Sequence, residues 1–207
     1  NLVCSTANPY QVDLSSGGHA LVFLPHEFYT SMVEECGLPA LCLDPSTSEA
    51  TDGLPRLLRQ WANHEDVMFE GDLAQVGVLG IHCDGVQYTT TIRAGASKSV
   101  LAASMNVISA RDHIRHRRQP LFVLRKVRLC SYGCQGFHTI QELMDVIAWS
   151  MRCLMAGVAP SCRHDGSVWT DLDIENRLPP ATIIPRACLL QVRGDWEWLE
   201  QCFRLRS

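Results

Sequence analysis

Val76-Gly-Val-Leu-Gly-Ile-His-Cys-Asp-Gly-Val-Gln-Tyr88 is the stretch on which the reading of this chain turns. It is continuous, apolar and punctuated by glycine. That pattern predicts a strand covered on both faces, since a half-solvated strand would alternate apolar and polar positions. Asp84 stands inside it, an acid in an otherwise buried run.

Downstream, Ser99 to Ser109 predicts a second strand and Leu121 to Cys130 a third. Short connections between consecutive strands favour an antiparallel meander. A helix follows. Thr139-Ile-Gln-Glu142 has the spacing of a capping box, and Ile140, Leu143, Met144, Ile147, Met151, Leu154 and Met155 fall on one face. Gly157 suits the left-handed C-terminal position and Pro160 blocks continuation. After a polar excursion from Ser161 to Pro180, Thr182 to Val192 predicts a fourth strand, with Pro185 tolerable only near its start. Arg193-Gly194-Asp195 and a short helix over Trp196–Phe203 end the pattern. A helical crossover returning the chain beside the first strand makes strand four parallel to strand one. The expected class is α/β (α+β), in a ribonuclease-H-like arrangement over residues 71–207.

Upstream, residues 1–70 predict an irregular, partly helical N-terminal extension. Ser15-Ser16-Gly17-Gly18 reads as a flexible turn. His26 to Cys36 is a short helix stopped by Gly37 and Pro39. Asp44 to Gly53 is a polar linker, and Leu54 to His64 places Leu54, Leu57, Leu58 and Trp61 on one helical face.

The 207 residues are 46% hydrophobic and 19% charged, enough for one globular domain. No apolar run reaches the roughly 18 residues that span a bilayer, and the start lacks a basic segment before an apolar core. A nuclear or cytoplasmic protein without a membrane partner is expected, and its ten cysteines are expected to be reduced. Cys83, Cys130, Cys153 and Cys188 sit in apolar stretches where a thiol acts as a small hydrophobe. The first residue is Asn, so the chain reads as part of a longer product. The net charge of −4 argues against a general nucleic-acid binder and confines any such contact to a local patch.

If strands one and four are parallel neighbours, Asp84 and Asp195 meet at one end of the sheet. Paired acids repel unless a cation lies between them. Mg²⁺ or Mn²⁺, which take oxygen ligands, could then support in-line phosphoryl displacement. Gly85 and Gly194 would allow close approach of a phosphate or metal. The plainer alternatives are a turn at Asp84-Gly85 and a helix cap at Asp195.

Ile81-His-Cys-Asp-Gly-Val86, Ser97-Lys-Ser99, Trp149-Ser150, Gly157-Val-Ala-Pro160 with Asp165-Gly166, and Leu190-Gln-Val-Arg-Gly-Asp195-Trp-Glu-Trp-Leu199 together resemble a pattern repeated in dinoflagellate multi-copy open reading frames. Those frames resemble transposases or retroelement products with a ribonuclease-H-like core. The resemblance covers roughly Gly71 to Ser207. It implies that Asp84 matches the first acid of a DDE-type catalytic triad and Asp195 the second. The third is missing; Glu197 and Glu200 follow Asp195 too directly to supply it. The implied function is a fragment of a magnesium-dependent, DNA-binding transposase or nuclease of a mobile element, itself inactive. The alternatives are an inactive remnant serving as a nucleic-acid or protein interaction module, and an unrelated α/β binding protein. Oligomeric state is not legible.

Arg111-Asp-His-Ile-Arg-His-Arg-Arg118 is the one basic cluster. At a hairpin tip, Arg111, Arg115, Arg117 and Arg118 could grip DNA phosphates, or form a solvated turn. Cys130-x3-Cys134-x3-His138 has zinc-like spacing but supplies three ligands where four are usual, so zinc is not expected. Cys162 and His164 add no recognisable spacing. His82 and Cys83 point to opposite strand faces and cannot form a nucleophile–base pair. Trp196, Trp198 and Phe203 predict a packing face.

Overall fold

The structure is a computed structural model that describes residues 8–43, 53–89, 98–111, 114, 117–134 and 136–203. At its centre is a four-stranded mixed sheet. A hairpin of β1 (Tyr10–Asp13) and β2 (His19–Val22) comes first, then α1 (Pro25–Cys36), α2 (Leu38–Leu41) and α3 (Leu54–Ala62). The sheet strands are β3 (Gly77–Thr89), β4 (Lys98–Val107), β5 (Gln119–Arg125) and β6 (Ala187–Gly194). Helix α4 (Phe137–Ala156) and the short α5 (Asp171–Asn176) separate β5 from β6, and α6 (Trp196–Phe203) follows β6. The order across the sheet is β5-β4-β3-β6. The first three strands are antiparallel and β6 is parallel to β3. The fold is mixed α and β, and the described strands do not close into a barrel.

β3 is central because both its edges are used and both its faces are loaded. Leu79, Ile81 and Cys83 are fully buried in the main core. Ile140, Leu143, Ile147 and Leu154 of α4 join them there. Each such side chain contributes about 1.5–3 kcal/mol on burial. Across the same strand, Val76 and Val78 join Leu54 and Leu58 of α3 and Cys188 of β6 in a second cluster. The face alternation of a strand therefore continues along β3, with Gly80, His82 and Asp84 on the side opposite Ile81 and Cys83. Gly80 lacks a side chain where Arg193 crosses from β6: its Nη2 donates to Asn106 Oδ1 on β4 at 2.7 Å, and a Cβ at Gly80 would lie 3.1 Å from that oxygen.

Several local expectations are corrected. Within the N-terminal stretch, a hairpin precedes the helix. Tyr10, Val12, Phe28, Tyr29 and Leu41 share one core with β3 and α4, because the alternating pair Tyr10/Val12 and Ala20/Val22 makes a hairpin too short to stand out in sequence. Its turn is held by Leu14 N–H donating to Gly18 O and Gly17 N–H donating to Leu14 O. The third strand stops at Arg125, where a 3-10 turn over Lys126–Arg128 replaces the expected run to Cys130. Helix α4 starts three residues early, capped by Gly136 in the left-handed region (φ 86°) rather than by Thr139. The Thr139 hydroxyl instead accepts from Cys130 N–H at 3.0 Å, and the Glu142 carboxylate accepts from Ser15 N–H. Tertiary partners outcompete the local box. A true capping box stands at Thr170/Asp173 of α5, inside the polar excursion. The fourth strand begins at Ala187; Thr182 to Ile184 pair instead with the end of α4, through Ala159 N–H to Thr182 O and Ile184 N–H to Gly157 O. Pro185 lies between the two ladders.

Candidate functional site

Asp84 and Asp195 are brought to one end of the sheet. The parallel β3–β6 register runs Gly80↔Gln191, Ile81↔Val192, His82↔Arg193, Cys83↔Gly194. The next positions along both strands are Asp84 and Asp195, on strands about 4.7–4.9 Å apart. A register shift between Leu79 and Gly80 leaves Leu190 unopposed. That shift puts Arg193 on the face of Gly80, His82 and Asp84, while the Asp195 carboxylate lies beside the position a Gly85 side chain would take, on the face opposite Asp84. Asp84 is not in a turn, for β3 continues past it to Thr89. Its antiparallel partner is Ala102.

Each acid also has a structural context. Asp195 Oδ1 accepts from Trp198 N–H at 2.7 Å and Asp195 O accepts from Leu199 N–H at 3.1 Å, so this residue caps α6. Its other oxygen, Oδ2, lies 4.0 Å from where a Gly85 Cβ would stand, and Lys126 Nζ lies 3.3 Å from the same point. Gly85 thus opens a small space shared by a carboxylate and an ammonium. Gly194 has a different reason. A Cβ there would meet Trp198 Cε3 at 2.6 Å and the Cys83 carbonyl oxygen at 2.9 Å, so strand-to-helix packing, not ligand access, demands glycine.

The basic cluster lies elsewhere. β4 leaves the acid end at Ala102 and passes Val107, opposite Leu79, before the connection that holds Arg111, Arg117 and Arg118. The arginines therefore stand at the opposite end of the sheet from Asp84 and Asp195. Arg111 and Arg118 are exposed, Arg117 pairs with Glu35 of α1 at 3.8 Å, and Arg115 lies outside the described residues. Among the described residues, Lys126, which the sequence pattern assigns to a strand, borders the space at Gly85 at the acid end.

A polar cleft of about 840 Å³ forms elsewhere, lined in part by Gln11, Asp13, Arg163, His164, Asp173 and Arg177. Sequence reasoning missed it, because the hairpin and the 161–180 excursion supply its walls from opposite ends of the chain. Its cations are already matched: Arg163 pairs with Asp173, and Arg177 pairs with Glu27 at 2.6 Å, both side chains of the latter pair being about 5% exposed. Burial pushes the Glu27 carboxyl up to about 7. Tyr10 Oη and His164 Nδ1 lie 2.8 Å apart; burial pushes the tyrosine up to about 12 and the histidine down.

Cys130, Cys134 and His138 gather where β5 gives way to α4, their ligand atoms all within 4.8 Å of one another. The hydrogen bond with the Cys130 sulfur holds the Cys134 thiol down to about 6. The described cysteines are free thiols. His82 and Cys83 separate as expected, Cys83 into the core and His82 half-buried on the other face. Trp198 is buried beside Phe203. No described helix is long and apolar enough to cross a membrane.

No family model, curated protein or solved structure matches the chain.

Proposed function

We propose that residues 71–207 are a ribonuclease-H-like core from a mobile-element transposase or nuclease, in which Asp84 and Asp195 hold Mg²⁺ or Mn²⁺ against DNA. The observation that carries this reading is one juxtaposition. An antiparallel meander, a helical crossover and a strand parallel to the first put two acids side by side at one sheet end. A hard divalent cation with oxygen preference, held where β6 ends, would draw the two carboxylates together and relieve the repulsion between them. When bound, the ion would polarise a phosphodiester; Asp84 and the free oxygen of Asp195 would orient it, and Lys126 would attract the backbone phosphate. Two acids make a partial cage for a two-metal mechanism, so metal binding without strand cleavage is expected of this stretch.

A second reading, an inactive remnant, draws on a specific observation too. One Asp195 oxygen caps α6, and the other borders the space at Gly85 that the Lys126 ammonium also borders, an arrangement that would serve the carboxylate with no metal.

Thermal melts with and without millimolar Mn²⁺ separate the two. The first reading expects a rise in Tm by mass action, abolished by Asp84→Asn, with no nuclease activity in either protein. The absence of any Mn²⁺-dependent shift in the unaltered chain would refute it and leave the remnant.

A further inference from the structure

Cys130, Cys134 and His138 are unused by the reading above, yet the backbone gathers them with some care. Cys130 is buried just past the 3-10 turn, Cys134 is half-buried on the following loop, and His138 lies exposed in the first turn of α4. Cys130 Sγ is 2.7 Å from Cys134 Sγ and 3.9 Å from His138 Nδ1. The loop folds back through two left-handed glycines, Gly133 (φ 76°) and Gly136 (φ 86°), a conformation that side-chain-bearing residues adopt at a cost. Cys130 N–H is fixed by Thr139 Oγ1 at 3.0 Å, and Phe137 N–H donates to Cys134 O at 3.0 Å. Cys130 and Cys134 are thereby both tied to α4.

We propose that Cys130, Cys134 and His138 form a zinc site, one ion per chain, with a solvent molecule in the fourth position. Two thiolates and an imidazole suit a borderline-soft ion, and three protein ligands with one open place is an established zinc arrangement. Mg²⁺ and Ca²⁺, which demand oxygen, are disfavoured by the same donor set. Tetrahedral bonds of about 2.3 Å to sulfur separate two thiolates by roughly 3.7–3.8 Å. The sulfurs must therefore part by about 1 Å on loading, which the half-buried Cys134 on its loop can supply by rotating its side chain. Binding releases the two thiol protons to solvent and leaves both sulfurs as anions on Zn²⁺; the imidazole binds neutral, through Nδ1. No electron is transferred. The ion would pin the end of β5 to the start of α4.

The test uses the full chain, reduced and stripped of metal, titrated first with Co²⁺ and then with Zn²⁺. Co²⁺ should give thiolate-to-metal charge-transfer absorption with the strong visible bands of a tetrahedral ion, both displaced by one equivalent of Zn²⁺. Cys134→Ser and His138→Ala, at accessible positions, should each lower affinity by at least roughly 100-fold, beyond the 10–100-fold that loss of an outer partner causes. Cys162→Ser should change nothing. Absence of charge-transfer absorption, a signal that survives Cys134→Ser, or a Cys130–Cys134 disulfide that persists under reductant would each overturn the proposal.

Discussion

Gly194→Ala should be a disproportionately costly substitution for a single methyl group. The added Cβ would stand 2.6 Å from Trp198 Cε3 and 2.9 Å from the backbone oxygen of Cys83, where ordinary contacts begin near 3.4 Å. Trp198 is 1% exposed, so its ring has no open side toward which to swing. The other obstacle is main chain of the neighbouring strand, so relief requires β3 and β6 to part by several tenths of an ångström. Overpacking of this kind costs about 1–3 kcal/mol, and two simultaneous clashes argue for the upper half of that range. Against it stands the gain of about 0.5–1 kcal/mol from replacing glycine within a strand. The net expectation is a loss of about 2 kcal/mol, or a Tm lower by roughly 4–8 °C in a chain of this size. Circular-dichroism melts measure it directly. The double variant Gly194→Ala/Trp198→Leu removes one of the two clashes, so the pair should couple favourably by about 0.5–3 kcal/mol. A Gly194→Ala protein as stable as the original would refute the argument that packing fixes this residue. It would also reopen close ligand approach as the reason for glycine.

Two further outcomes follow from buried polar groups. His26 is held neutral, its pKa pushed down to about 3 by burial and then by Arg177. The unfolded chain thus binds the extra proton between about pH 6.5 and 3, and stability is lost as pH falls through that window, by up to about 1.4 kcal/mol per unit. Glu27, raised to about 7, acts with the opposite sign above about pH 4.5, so the histidine slope should emerge between about pH 4.5 and 3. Urea midpoints across that range should flatten in His26→Asn; parallel curves for the two proteins would exclude His26 as the cause. Thr139→Ala should cost about 1–3 kcal/mol by orphaning the buried Cys130 N–H, whereas Thr139→Ser should recover most of it. Equal melting temperatures for Thr139→Ala and the unaltered protein would count against that bond.

What the sequence disclosed was mainly periodicity. β3 announced itself through an apolar run of the right length, and α4 through its stripe from Ile140 to Leu154, with Gly157 ending it in the left-handed region (φ 73°). The parallel placement of β6, and hence the adjacency of Asp84 and Asp195, followed from element order. Features decided by distant partners stayed hidden. The Thr139/Glu142 spacing matched a cap, but Cys130 and Ser15 claimed those side chains from elsewhere in the chain. The 3-10 turn over Lys126–Arg128 carries no glycine or proline to mark it, so the sequence pattern places Lys126 in a strand rather than beside the space at Gly85. The separation of the arginine cluster from the acids needed the strand directions, which no local motif encodes. The Cys130/Cys134/His138 trio was visible by spacing, but its convergence depended on two left-handed glycines.

The strand order also has a consequence for synthesis. β3 finds β4 at once, but its other edge must wait for β6, roughly 110 residues later. At ribosomal rates of about 5–20 residues per second, that edge stays uncovered for about 5–20 s on each nascent chain. Its Gly77–Ile81 half is apolar and the strand lacks proline, the composition that invites pairing between neighbouring polypeptides on a polysome. Output of intact protein would then depend on how fast the ribosome crosses the segment between α4 and Ala187. Slow codons there would lengthen the exposure, and chaperones that hold bare strand edges would shorten its effect.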